Sequence, residues 1–246
     1  GVSARVAEFL PAPLFCILEE GDEDTPPLYG YETPKQSIGR MKAFHGHFGA
    51  IIRSYTYIAM HGPDGLKDIA QYAVLNANYL MARLNKHYAV PFNRVCMHEF
   101  VMEGRFEGTD VRALDISKRL MDYKFHPPTN YFPLIVPEAL MIEPTESEGK
   151  AELDRFCDAM ISIREEIRAI ESGKVDRADN VLKMAPHTAD EVSADAWSHS
   201  YAREQAAFPL TWVRQHKFWP SVGRLNNAYG DKNLFCACPP MESYES

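Results

Sequence analysis

The most regular apolar pattern in the chain lies in ‘GPDGLKDIAQYAVLNANYLMARLNK’. Leu66, Ile69, Ala70, Ala73, Val74, Ala77, Leu80, Met81 and Leu84 recur there with helical spacing and form one stripe. Pro63 and Asp64 suit its start. The preceding ‘GHFGAIIRSYTYIAM’ is also helical and ends at His61-Gly62, so two helices in a hairpin are expected, with the turn at Gly62. Residues 91–103, ‘PFNRVCMHEFVME’, read as a strand. ‘TDVRALDISKRLMDYKF’ reads as a helix with Thr109 or Asp110 as N-cap and Ala113, Ile116 and Leu120 inward. ‘TNYFPLIV’ and ‘ALMIEP’ supply one or two strands. A long helix from about Ser147 to Ile170 follows, with Leu153, Phe156, Cys157, Met160, Ile163, Ile167 and Ile170 on its apolar side. Strand, helix, strands, helix is the pattern of a small α/β layer, a sheet covered by helices.

The flanks are less regular. Residues 1–45 hold an extended apolar arm, ‘LPAPLF’, and an acidic loop, ‘EEGDEDTPPLYG’. After Gly173 only a short helix and turn remain, in ‘KVDRADNVLKMAPHT’. All three tryptophans (Trp197, Trp212, Trp219) lie in the last fifty residues, an aromatic tail that must pack on something. The expected organisation is an arm and loop (1–45), a linking helical hairpin (46–90), a small α/β domain (91–190) and an irregular aromatic tail (191–246).

Composition narrows the classes. The chain has 246 residues, enough for a sizeable core. No apolar run approaches the ~20 residues of a membrane helix. The net charge of −8, without any cluster of Lys or Arg, argues against nucleic acid as partner. The five cysteines, Cys16, Cys96, Cys157, Cys236 and Cys238, are odd in number and scattered, which suits a reducing compartment. Cys157 falls on an apolar helix face and reads as a small buried hydrophobe. The chain starts at Gly1 without methionine, which implies processing or an upstream part.

Chemistry-bearing residues gather at strand ends. His98-Glu99 lies in the first expected strand, and His126-Pro-Pro-Thr129 opens the strand pair. Titratable groups beside stiff prolines at the mouth of a sheet are where rigid sites form. Glu143-Pro-Thr-Glu146 closes the strands, and Thr145 or Ser147 reads as the cap of the long helix. Asn76 and Asn78 interrupt a good helical stripe, where Asn is unfavourable, so their side chains are expected to bond a neighbouring segment. His45-Gly46-His47 has too little around it for a metal site, and a metal-dependent hydrolase is a minor alternative. No Gly-x-Ser-x-Gly elbow, Walker loop or Gly-x-Gly-x-x-Gly occurs.

‘AVLNANYLMARL’, ‘CMHEFV’, ‘LDISKRLMDYKFHPPTNYFPLIVPEALMIEPTESE’ and ‘APHT’ resemble glycine decarboxylase. This is the P-protein of the glycine cleavage system, glycine dehydrogenase (aminomethyl-transferring). The tail ‘YAREQAAFPL…KFWPSVGRLNNAYGDKNLFCACPP’ is similar to the C-terminal end of the same family. The resemblance implies an α/β chain that is the C-terminal part of a type I fold dependent on pyridoxal phosphate. In that family pyridoxal phosphate on a lysine serves as electron sink while carbon dioxide leaves glycine, and the aminomethyl group passes to the lipoyl arm of H-protein. The family's His-Lys segment lies before the part that Gly1-Val2 resembles, and Lys35, Lys42 and Lys67 do not match it. The expectation is a portion that does not turn over glycine alone. The resemblance places His126 and Thr129 at the cofactor cleft or lipoyl channel, with His98 and Glu99 beside them. It makes Arg203 a candidate for the glycine carboxylate or an acidic H-protein surface, against a structural salt bridge. Cys236 and Cys238 are candidates for a redox switch, or are reduced and silent.

The expected partners are the N-terminal part of the P-protein or a partner subunit, lipoylated H-protein and glycine. Residues 30–60 resemble the second subunit of two-chain P-proteins, while the tail from Trp197 resembles the single-chain form. A dimer and a heterotetramer therefore both stay open, and His47 carries no role. The expected compartment is bacterial cytoplasm or mitochondrial matrix. The alternative function is a docking or regulatory module without chemistry of its own.

Overall fold

The computed structural model describes residues 2–41 and 46–234. Lys42, His45 of the His-Gly-His run and the redox candidates Cys236 and Cys238 lie outside them. The chain divides into two compact units, at Leu66/Lys67. That boundary falls inside the expected helical linker, and the aromatic tail belongs to the same unit as the α/β layer.

In the first unit the expected arm folds back on itself. After a short helix α1 (Ala4–Ala7), β1 (Leu14–Glu19) pairs antiparallel with β2 (Leu28–Glu32). The acidic loop is the connection between them, and the Asp22 carboxylate accepts from the Asp24 and Thr25 amides at 3.0 and 2.8 Å. Phe15 stacks on Tyr29 on an exposed face. Helix α2 (Phe48–Leu84) starts in this unit and is broken at Gly62, whose φ of 63° is a left-handed value that only glycine adopts freely. The break falls where the apolar pattern puts a turn.

The second unit is the α/β layer. Strand β3 (Phe100–Glu103) pairs antiparallel with β5 (Ala139–Ile142), which pairs on its other edge with β4 (Thr129–Asn130). Period-2 alternation buries Phe100 and Met102 opposite Ile142 and Leu140. Over this face pack the end of α2, α3 (Ala113–Asp122) and α4 (Lys150–Glu171). Leu80, Met81 and Leu84, then Ile116 and Leu120, then Cys157, Met160, Ile163 and Ile167 close one core. The apolar residues that the pattern assigns to the inward sides of α3 and α4 are buried, except that Phe156 is only partly so; α3 also buries Asp115, Ser117, Arg119 and Asp122, which the pattern does not assign. The stripe on α2 is buried only in its second half; Ala70 and Leu75 border an open groove of about 490 Å3.

Three boundaries differ from expectation. Residues 91–99 are irregular, so the strand is four residues long and His98-Glu99 precede it. ‘TNYFPLIV’ is strand only at Thr129–Asn130, because Tyr131 takes a φ of 68° and Pro133 has no N–H to give to a ladder. Helix α3 begins after Arg112 rather than after Thr109 or Asp110. The Asp115 carboxylate accepts the Arg112 amide at 2.8 Å and so fixes the start, while Thr109 Oγ1 accepts the Val111 amide. Likewise neither Thr145 nor Ser147 caps α4. Their hydroxyls bond each other at 2.6 Å, and Gly149 holds the N-cap position. At the crossing of β3 with α3, Gly104 leaves no room for a side chain: a Cβ would lie 2.9 Å from Ala113 Cα.

Asn76 and Asn78 do bond neighbouring segments. Asn76 Nδ2 donates to the Thr145 carbonyl at 2.9 Å. Asn78 donates to the Cys96 carbonyl at 2.8 Å and accepts the Cys96 amide at 3.0 Å. These bonds hold the irregular 91–99 segment and the turn before α4 against α2.

The tail folds as α6 (Ala189–Ser193), α7 (Arg203–Ala207), α8 (Thr211–Gln215) and α9 (Asn227–Lys232), preceded by α5 (Val181–Met184). It is clamped to α3 by buried ions. Arg119, fully buried, pairs with Glu166 at 2.7 Å and Asp122 at 3.0 Å and donates to the Gln205 and Ala206 carbonyls, each at 2.9 Å. His187, also fully buried, bonds Asp122 through Nδ1 and the Tyr201 hydroxyl through Nε2, both at 2.8 Å. Lys217 Nζ donates to the Asp122 carbonyl at 2.8 Å, and Arg224 pairs with Asp115. Burying an ion is favourable only when it is paired and its hydrogen bonds are met; Arg119 meets both conditions, whereas the described partner of Lys217 is a backbone carbonyl.

Candidate functional site

The C-terminus of α3 sets up the site. The helix ends in a Schellman motif: the Lys124 amide donates to Met121 and the Phe125 amide to Leu120, both at 3.0 Å. Lys124 takes the left-handed position, φ 66°, in a place where glycine is usual. The chain therefore turns sharply and sends ‘FHPPT’ along the sheet end. The consecutive prolines Pro127 and Pro128 stiffen it before Thr129 joins β5 opposite Met141.

This turn walls a pocket of about 430 Å3. His126 and Thr129 line it from the segment before β5, Glu143 and Pro144 from just beyond β5, and Phe156 and Glu152 from α4, with Lys124, Phe125 and Glu148 also in the lining. His126 is exposed, and no hydrogen bond engages its ring among the described residues. His98 lies outside the lining but joins it through Glu143: His98 Nε2 is 3.9 Å from Glu143 Oε1 and 4.0 Å from Glu99 Oε2. Polar residues at two separate strand mouths thus converge on one sheet end, because β3 and β4 both pair with β5.

Arg203 is placed elsewhere. Its Nη1 donates to the Val192 carbonyl at 2.8 Å and to Ala194, its Nη2 to Asp195 at 3.2 Å, and its guanidinium stacks on Trp197. It braces the tail through backbone carbonyls, where the sequence suggests either an anion ligand or a salt bridge. Lys124, Phe125, Glu148 and Glu152 line the pocket without a signal in the sequence that marks them, and Phe156, on the apolar side of α4, reads as core. The left-handed turn at Lys124 has no local signature. Among the described residues no group of three His, Cys, Asp or Glu side chains could hold a metal ion.

Donors that would hold a phosphate are scarce here. Three carboxylates, Glu143, Glu148 and Glu152, line the pocket against one lysine. These residues do not fit the phosphate of pyridoxal phosphate, which needs converging N–H and O–H donors. They suit a neutral or cationic group, with His126 and Thr129 as adaptable donors and acceptors.

A short antiparallel sheet with three helices over one face and a polar pocket at its end defines an α/β module. The same fold occurs in a crystal structure of glycine decarboxylase (P-protein) of the glycine cleavage system in inhibitor-bound form, with a TM-score of 0.53 and 18% identity. The likeness covers 65% of this chain and 37% of that one. Residues 69–187 match the family model described as glycine dehydrogenase, C-terminal domain. The chain is 48% identical, over 98% of its length, to the mitochondrial glycine dehydrogenase (decarboxylating) of Solanum tuberosum. It is 48% identical, over its whole length, to the glycine dehydrogenase (decarboxylating) of Nostoc punctiforme. The C-terminal domain that this family model describes is thus matched by residues 69–187 of the chain. It spans about a quarter of the length of these relatives, 23% and 24%.

Proposed function

We propose that the chain is the C-terminal portion of a glycine decarboxylase, in which the His126 pocket forms part of the wall facing the lipoyl arm. The complete enzyme would release carbon dioxide from glycine and pass the aminomethyl group to the lipoyl arm of H-protein. Pyridoxal phosphate, which supplies the electron sink for decarboxylation, would be held outside this span. The convergence of His126, Thr129 and Glu143 on one open pocket carries the reading. His126 can hold or move a proton, Thr129 can donate through its hydroxyl, and Glu143 with His98 can face an ammonium or a thiol. No residue of this chain is assigned to the carbon–carbon bond cleavage.

Incompleteness is consistent with the surface. Val95, Leu134 and Ile135 are 81%, 79% and 77% exposed, and Met97 and Phe132 are exposed beside them in sequence. Apolar surface of this kind is usually covered in an assembly. The N-terminal part of the P-protein, or a partner subunit carrying it, would cover it, in a dimer or heterotetramer. The Solanum relative is named as mitochondrial and the Nostoc relative is cyanobacterial, which supports the mitochondrial matrix or the bacterial cytoplasm as the setting; no helix among the described residues is long and apolar enough to cross a membrane. The same exposed surface favours the second reading, a docking module without chemistry.

His126→Ala and Thr129→Ala in the complete enzyme decide between them. Both should impair glycine–bicarbonate exchange or lipoyl transfer with an unchanged melting temperature. Normal kinetics in both variants would refute the site and favour docking alone. Glycine turnover by the 246-residue chain by itself would refute the assignment of the cofactor to another segment.

A further inference from the structure

One cation joins the pocket to the tail. Arg155 on α4 donates from Nη1 to Glu152 Oε2 at 2.5 Å, and Glu152 lines the pocket. Its guanidinium carbon lies 5.2 Å from the centre of the Phe125 ring and 4.6 Å from that of Trp212. Phe125 lines the pocket, whereas Trp212 belongs to α8 in the tail. The two rings meet edge to face at 6.1 Å, and Phe125 meets Phe156 the same way at 5.4 Å. Arg155 Nε and Trp212 Nε1 are both buried without an acceptor among the described residues. The cage is therefore held by ring–cation stacking and by the single ion pair to Glu152.

We propose that Arg155 is a positioning residue that couples α8 to the pocket, holding Phe125 and Glu152 in the geometry that admits the lipoyl arm. This rests on the functional reading given above. Arginine suits the task because its flat guanidinium stacks on aromatic rings while its edge bonds a carboxylate; lysine can keep the charge but not the stack. Without Arg155, Glu152 loses the cation that pairs with it among the described residues and Phe125 loses a contact that fixes its ring. Without Trp212, the guanidinium loses one stacking partner and gains freedom to leave Glu152.

The test uses complete glycine dehydrogenase assembled with this chain, lipoylated H-protein as substrate, and the variants Arg155→Met, Arg155→Lys, Trp212→Ala and, for reference, His126→Ala. Arg155→Met should raise KM for H-protein by about five- to tenfold with kcat within about twofold, the pattern of lost binding shared by ground and transition states. Trp212→Ala should do the same, and the double variant should be no worse than either single one. In Arg155→Met the tryptophan emission should shift to longer wavelength, as Trp212 loses its stacked cation. Arg155→Lys should fall between Met and wild type. Wild-type KM in Arg155→Met, with His126→Ala impaired, would overturn the coupling and leave the pocket reading intact. Wild-type kinetics in both would overturn the pocket reading and the coupling with it. Should Arg155→Met fail to fold, Arg155→Lys takes its place: a raised KM supports the coupling and an unchanged one overturns it.

Discussion

Replacing Asn78 by alanine sets two known effects against each other. Asn78 sits in the interior of α2, where alanine is the better residue by roughly 0.5–0.7 kcal/mol. Against that stands the reciprocal pair with Cys96, the 2.8 Å donation to its carbonyl and the 3.0 Å acceptance of its amide. Each such bond is worth about 1 kcal/mol net, and leaving both Cys96 groups half-buried and unpaired removes roughly 2 kcal/mol together. The third bond, to the Val74 carbonyl one turn back, adds little, because that carbonyl also serves the helix ladder. The balance is a loss of about 1–2 kcal/mol. All three tryptophans lie in the second unit, so their fluorescence in a urea titration follows that unit. A loss of this size should lower its melting temperature by about 3–6 °C. A variant as stable as wild type, or more so, would show that helix propensity outweighs the contact and that the 91–99 segment is not held by Asn78.

Arg119→Met should cost about 3–5 kcal/mol in the same titration, since it leaves the buried carboxylates of Asp122 and Glu166 without their cation; a loss under about 1 kcal/mol would refute that role. Burial lowers the Lys217 amine to about 8, so the folded state binds fewer protons than the unfolded state above that pH, and stability should rise between pH 8 and 9. Lys217→Met should flatten that rise; an equal slope in both proteins would assign it elsewhere. Burial raises the Cys157 thiol to about 11, which should oppose the rise above pH 9. Iodoacetamide at neutral pH should leave Cys157 unlabelled until the unit unfolds, read by peptide mass mapping, and prompt labelling of native protein would contradict its burial.

The helices that make the core were legible because their signal is local. Ile116 and Leu120, or Met160, Ile163 and Ile167, recur at helical spacing wherever the chain runs, and the two mid-helix asparagines announced side-chain partners by being unfavourable without them. The two mouths of the site, His98-Glu99 and His126-Pro-Pro-Thr129, were legible as polar ends of apolar runs. Their meeting was not, because it depends on β5 lying between β3 and β4. The caps of α3 and α4 went elsewhere than Thr109 and Thr145 for a similar reason. Several polar residues near each start were equally suited, and packing chose among them.

What the sequence by itself determined is the set of amphipathic stripes, the α/β layer and the polar residues at its end. Only the tertiary structure decided the rest. Arg119 reaches Glu166 across 47 residues and Gln205 across 86, and His187 reaches Asp122 across 65. Periodicity reports which face of a helix is buried, but not which distant charge will lie on it. The pocket, the clamp on the tail and the Arg155 cage all arise from such distant pairings, so no local pattern in the chain encodes them.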